Sequence, residues 1–184
     1  MYKLVIQGGN SLKGSIKTSG SKNATLPIFF ASILSDDPLK LANTPQLSDV
    51  STTLRLLMDM GSSFVLEEDG SIFIDSSNLI NLVADYSLVK TMRASILTLG
   101  PTLVKYKKAK ISLPGGCAIG TRPVNLHLNA LEKMGAKIEV KNGYIYASTK
   151  ELIGTQINLD LVSVTATENI LMAATLAKGF TTIN

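Results

Sequence analysis

Cysteine is nearly absent: the 184 residues contain one, which excludes an intramolecular disulfide framework and fits a reducing compartment. Histidine is as scarce, with His127 alone, so no second histidine or spare cysteine exists to build a zinc site. No apolar run nears the roughly 18 residues that span a bilayer. The start, MYKLVIQGGN, lacks the order of positive, apolar and small residues that marks a secretory leader. These absences predict a cytoplasmic chain without membrane contact. Acidic charge is in deficit, 14 Asp and Glu against 18 Lys and Arg, for a net charge of +4. Apart from KYKKAK (105 to 110) the basic residues are scattered and form no stripe, which argues against a nucleic-acid platform and leaves room for a small anionic substrate. What the chain does have is apolar residues, 45% against 17% charged, enough for a sizeable globular core.

An internal repeat organises those apolar residues. DVSTTLRLLMDMGSSFVL (49 to 66) and PVNLHLNALEKMGAKIEV (123 to 140) match at a constant offset of 74 residues, as between Met60 and Met134 or Gly61 and Gly135. The shared apolar positions recur at i, i+4, i+7, the spacing of an amphipathic helix, and the glycine suits the left-handed position that ends one. Each helix predicts a following hairpin, around Asp69-Gly70 in the first copy and Asn142-Gly143 in the second. Ahead of each unit, residues 21 to 43 and 89 to 113 both read as apolar helix, polar turn and strand, and 164 to 184 repeat that half a third time. The pattern predicts an α/β or α+β fold of two complete helix-strand-helix-hairpin units and half of a third. In that third unit Ile170, Leu171, Ala174 and Leu176 are expected to form an uncovered apolar face that invites self-association.

Polar residues cluster where these helices begin: Lys22-Asn23, then Arg93 after Lys90, then Ser163 to Thr165 with Glu168-Asn169. A helix start offers unpaired N–H groups and about half a positive charge, so it attracts anions. Three symmetry-related starts can converge on one ligand, with Ser21 capping the first. Arg93 stands alone in an apolar helix face and needs an anionic partner that fits its fork. His127 lies among core leucines and reads as a satisfied core-edge histidine. The lone cysteine, Cys117, sits in the loop LPGGCAIGTRP beside Arg122, a setting for a reactive thiol rather than a packed one. GGCAIG lacks the GK[ST] ending of a nucleoside-triphosphate loop. Neither a metal nor any other cofactor is expected.

SGSKNATLP, MRASILTLGP, LPGGCAIGTRPVNLHL and VTATENILMAATLA together resemble the UDP-N-acetylglucosamine 1-carboxyvinyltransferases, the enolpyruvyl transferases that commit sugar nucleotide to bacterial peptidoglycan. The resemblance covers nearly all of the chain. It implies an inside-out α/β barrel of such units, with residues 21 to 184 as the cysteine-bearing domain and residues 1 to 20 belonging with a second domain. It implies that Cys117 protonates the methylene carbon of phosphoenolpyruvate and forms a reversible adduct at its C2, while Lys22 and Asn23 hold that substrate. Arg93, Arg122, Pro123, Val124, Asn125, Leu126, Ser163 and Val164 are then the residues for UDP-N-acetylglucosamine. Asn125 stands where the family usually has Asp, and the carboxylate that takes the proton from the sugar 3-hydroxyl is expected beyond Asn184. The resemblance further implies a monomer at full family length and no transfer by the 184 residues alone.

Two other readings stay open on the residues: a non-catalytic sugar-nucleotide-binding or interaction module, and a transferase like 5-enolpyruvylshikimate-3-phosphate synthase, which shares the repeat but lacks the cysteine loop. Basic neighbours lower a thiol's pKa from about 8.5 and keep thiolate available. Intact-mass measurement after incubation with the epoxide fosfomycin is therefore expected to show one adduct, abolished in Cys117→Ser. Persistence of the adduct in that variant, or none in the parent with sugar nucleotide present, rules out an activated thiol at residue 117.

Overall fold

The computed structural model describes residues 3–90, 92–114 and 124–184. Residues 3–20 form neither helix nor strand and are exposed nearly throughout. From Lys22 onward the elements follow the repeat. The first unit is helix α1 (Lys22–Ala31) with a 3-10 turn (Ser32–Leu34), strand β1 (Leu39–Leu41), helix α2 (Ser48–Met60) and the hairpin β2 (Ser63–Leu66) and β3 (Ile72–Asp75). The second opens with β4 (Val83–Ala84) and the single turn α3 (Tyr86–Val89). A 3-10 segment (Arg93–Thr98) then runs into α4 (Leu99–Tyr106), followed by β5 (Lys108–Ser112), α5 (Asn125–Lys133) and the hairpin β6 (Lys137–Lys141) and β7 (Tyr144–Ser148). The third contributes β8 (Gln156–Ile157), α6 (Val164–Ala174) and β9 (Thr182–Ile183).

The repeat extends to the hydrogen bonds. Gly61 has φ 115° and Gly135 φ 98°, and behind them Ser62 N–H donates to the Leu57 carbonyl at 2.9 Å as Ala136 N–H does to Leu131 at 3.0 Å. Both helices end in the same left-handed turn that only glycine adopts without strain. Strand pairing repeats too: β1 lies antiparallel to β3, and β5 to β7, while β4 runs parallel to β5 as β8 does to β9. The sheets have orders β1-β3-β2, β4-β5-β7-β6 and β8-β9. Among the described residues they stay three separate sheets and do not join into one closed barrel.

Helices fill the centre. Every residue of α4 from Leu99 to Val104 is buried, and a helix apolar all round belongs inside a core. Phe29 and Phe30 of α1, Ile33, Leu103 and Ile170 complete it, each fully buried. The sheets lie outside, with all four residues of β2 exposed.

Three sequence expectations change. The hairpin at Asp69-Gly70 is not a two-residue turn: pairing ends at Leu66 and Ile72, and Glu67 N–H bonds the Ser71 carbonyl around a loop in which only Gly70, φ 77°, is left-handed. Asp69 instead accepts from the Ser71 N–H at 2.8 Å, which keeps it out of the left-handed region that a two-residue turn demands. Asn142 and Gly143, both at positive φ, do form that turn. Ser21 occupies the N-cap of α1 without a side-chain hydrogen bond. Finally, Ile170 is fully buried and Ala174 partly so, while Leu171 and Leu176 stay exposed, as do Val164 on the same helix and Leu161, Val162 and Phe180 on either side of it.

The matched glycines make a comparison. A Cβ at Gly61 would stand 2.8 Å from Ile80 N, whereas at Gly135 the nearest atom is 3.7 Å away. Gly135→Ala is expected to cost about 1 kcal/mol from the positive φ alone, and Gly61→Ala distinctly more. Thermal melts of the two variants check the order.

Candidate functional site

A cavity of about 580 Å³ opens where helix starts from all three units meet. Lys22 and Asn23 begin α1, Arg93 begins the 3-10 segment, Val124 and His127 stand at the start of α5, and Ser163 to Thr165 start α6; all line the cavity. The convergence read from the repeat is therefore present. Each of α1, α5 and α6 turns its N-terminal, partly positive end toward one space.

The side chains add to that field. Lys22 Nζ lies 2.9 Å from Asp49 Oδ2 in the first turn of α2. Both groups are part-exposed, and such a pair contributes at most about 1 kcal/mol, so an incoming anion can replace Asp49 at little cost. Sequence reasoning missed Asp49 because an acid in a helix's first turn is already explained by the dipole. Ser163 caps α6, its Oγ accepting from Ala166 N–H at 3.3 Å. His127 is 4% exposed. Burial, and then the Arg93 guanidinium, push its pKa down to about 4, so the imidazole is uncharged at neutral pH.

Of the sequence-predicted site residues, Lys22, Asn23, Arg93, Val124, Ser163 and Val164 share this cavity. Asn125 is exposed as the first residue of α5. Leu126 lies instead on a second groove with Asn129 and Asp160. Cys117, Arg122 and Pro123 lie outside the described residues. Pro114 and Val124, the described neighbours on either side of that loop, both line the cavity. Among the described residues no group of three or more His, Cys, Asp or Glu is placed to hold a metal, and no helix is long and apolar enough to cross a membrane.

The fold of repeated helix-strand units is shared with solved enolpyruvyl transferases. The enolpyruvyl transferase NikO from Streptomyces tendae superposes with a TM-score of 0.79 over 96% of this chain and 42% of its own, at 20% identity. An EPSP synthase from Acinetobacter baumannii does so with a TM-score of 0.72 over 96% and 41%, again at 20% identity. The family model for EPSP synthase (3-phosphoshikimate 1-carboxyvinyltransferase) matches residues 6–184, and the chain belongs to that family. Within it, the UDP-N-acetylglucosamine 1-carboxyvinyltransferase of Ruthia magnifica subsp. Calyptogena magnifica is 73% identical over all of this chain and 44% of the relative. The enzyme of the same name from Hydrogenovibrio crunogenus (strain DSM 25203 / XCL-2) is 54% identical over the same shares. The chain thus spans less than half the length of the curated relatives it matches.

The buried imidazole gives the fold a pH dependence. In the unfolded chain a histidine takes up its proton near pH 6.5, in the folded chain only near pH 4. Protonation therefore favours unfolding: stability is level above about pH 6.5 and falls from there toward pH 4, by on the order of 3 kcal/mol. The lowered carboxyls of Asp69, Asp75 and Asp85 start below their usual 3.8 and lose their contribution only at lower pH. Denaturant melts between pH 7.5 and 4.5 are expected to show this decline in the parent and a shallower one in His127→Asn.

Proposed function

We propose that the chain carries the cysteine-bearing half of a UDP-N-acetylglucosamine 1-carboxyvinyltransferase, which moves the enolpyruvyl group from phosphoenolpyruvate to the sugar 3-hydroxyl. The observation that carries this reading is the meeting of Lys22, Arg93 and three helix starts at one cavity whose wall includes both Pro114 and Val124, the flanks of the Cys117 loop. The identity of 73% to a relative of that name supports the choice within the family.

In this reading Lys22 and Asn23 hold the phosphate and carboxylate of phosphoenolpyruvate. Arg93, Arg122, Pro123, Val124, Asn125, Leu126, Ser163 and Val164 hold the sugar nucleotide, with α6 presenting its positive end to an anionic group. Leu126, facing another groove, takes part through its backbone. The Cys117 thiol gives its proton to the methylene carbon, which leaves C2 electron-poor. The sugar oxygen bonds to C2 as its own proton passes to a carboxylate supplied from outside these residues. A methyl proton then returns to the Cys117 thiolate as phosphate departs from C2, which restores the double bond in the product and the thiol. The thiolate left on Cys117 also accounts for a reversible adduct at C2.

The same reading assigns residues 21–184 to an inside-out α/β barrel domain and residues 1–20 to a partner domain. The exposure of Leu4, Val5, Ile6, Leu12 and Ile16 supports the second assignment, because apolar side chains that pack on nothing here require a surface elsewhere. Exposed Leu171, Leu176 and Phe180 support an incomplete third unit and a tendency of these residues to self-associate. A cytoplasmic setting fits the single thiol.

Calorimetry with UDP-N-acetylglucosamine tests the cleft. Arg93→Ala is expected to weaken that binding, and Lys22→Ala the binding of phosphoenolpyruvate titrated into the sugar-nucleotide complex, each ten- to a hundredfold, the loss of about 1.5 to 3 kcal/mol for a charged hydrogen bond. For Lys22→Ala the melting temperature is expected to stay nearly unchanged. Phosphate release from phosphoenolpyruvate is expected only when the chain is extended to the length of its relatives, and not in Cys117→Ala of that form. Unchanged binding in Lys22→Ala, or no phosphate release from the extended form, overturns the assignment.

A further inference from the structure

The side chain of Asn169 stands where a backbone hydrogen bond is missing. In an unbroken α-helix the N–H of Gly100 donates to the carbonyl four residues back, that of Ile96. Here Gly100 N–H donates to Asn169 Oδ1 at 2.7 Å, and the Ile96 carbonyl accepts from Asn169 Nδ2 at 3.0 Å. The amide, fully buried on α6, is inserted into the ladder where the 3-10 segment headed by Arg93 gives way to α4. Gly100 permits the approach, because a Cβ there would collide with the backbone and side-chain oxygens of Asn169.

That insertion determines a proton position. Since a backbone N–H faces Oδ1, the amide has one orientation, and its other N–H points to His127 Nδ1 at 3.0 Å. Nδ1 must then accept. The imidazole proton sits on Nε2, which meets Thr165 Oγ1 at 3.4 Å in the first turn of α6. The buried amide and the imidazole thus tie together the Arg93 segment, the start of α5 and, through Thr165, the start of α6, which are three walls of the cleft.

We propose that Asn169 and His127 are positioning residues: they hold the imidazole as the uncharged Nε2–H tautomer and set the distance between Arg93 and the α6 start across the cleft. The proposal rests on the reading of the cleft as the sugar-nucleotide site. A protonated imidazole would lose the Asn169 bond and place a second cation beside Arg93. Among the described residues, the charged groups that line the cleft with His127 are Lys22, Asp49 and Arg93, and Lys22 is already paired with Asp49.

His127 is the chain's only histidine, so nitrogen-15 NMR of histidine-labelled protein reads its tautomer without assignment. The parent is expected to show Nε2 protonated and Nδ1 bare, unchanged from pH 8 to 5.5. Asn169→Asp, whose carboxylate accepts where the amide donated, is expected to move the proton to Nδ1 or to charge the ring. A parent spectrum with Nδ1–H, or a titration midpoint near 6.5, overturns the proposal, and this result stands even if the Asn169 variant does not fold.

Calorimetry with UDP-N-acetylglucosamine reads the positioning role. His127→Leu is expected to weaken binding on the order of tenfold. His127→Asn, whose amide oxygen can replace Nδ1 as acceptor, is expected to restore most of it. Parent-like affinity in His127→Leu, well below its melting temperature, overturns the positioning role. Absence of binding by the parent itself overturns the reading of the cleft instead, and leaves the tautomer measurement to judge the lock.

Discussion

The close approach of α4 and α6 at Gly100 and Asn169 is the constraint on which the cleft depends. It joins the second and third units because Gly100 has no side chain to hold the backbones apart, and the buried amide satisfies the Gly100 N–H that the 3-10 to α junction leaves open and adds a second bond to the Ile96 carbonyl, which also accepts from Leu99 N–H. Unpaired, the Gly100 N–H would cost about 1 to 3 kcal/mol, and the carbonyl would lose its second bond. Paired through a side chain of another unit, they convert a local irregularity into a long-range tie. The start of α5 is drawn to the same point through His127. Helix starts that are far apart in sequence are therefore held at fixed mutual distances, which an anion-binding site built from helix ends requires.

Electrostatics follow from that arrangement. Within the cleft's described wall the permanent cations are Lys22 and Arg93, and Asp49 alone opposes them. His127 adds no charge, since burial and Arg93 both disfavour its protonated form. The site thus presents a moderate positive field whose anionic counterpart is the half-exposed Asp49. Such a pairing keeps a lysine ordered before a ligand arrives while giving it up easily, because a solvent-screened ion pair is weak.

Much of this was legible in the sequence because the repeat is strong. The offset of 74 between Gly61 and Gly135 foretold two helices with the same left-handed ending, and the apolar periodicity foretold which faces are buried. The meeting of Lys22, Arg93 and Ser163 was legible only through the repeat, since nothing local connects them. What escaped were features set by partners in space. Asp69-Gly70 has the composition of a two-residue turn, yet Asp69 chose the Ser71 N–H. Leu126 is only two residues from Val124 in sequence but, on a helix, looks toward another groove. Asn169 stood out as a polar residue near a helix start, without any sign that its partners lie about 70 residues away at Ile96 and Gly100.

By itself the sequence determined the unit: amphipathic helix, glycine stop, alternating strands and a cation or hydroxyl at each helix start. These depend on periodicity and backbone freedom, which are properties of neighbouring residues. Only the tertiary structure decided how deeply α6 is buried, which residues at a helix start face the cleft, and that His127 is uncharged. Those outcomes depend on desolvation and on hydrogen bonds between groups brought together by packing, and no local pattern encodes the distance between them.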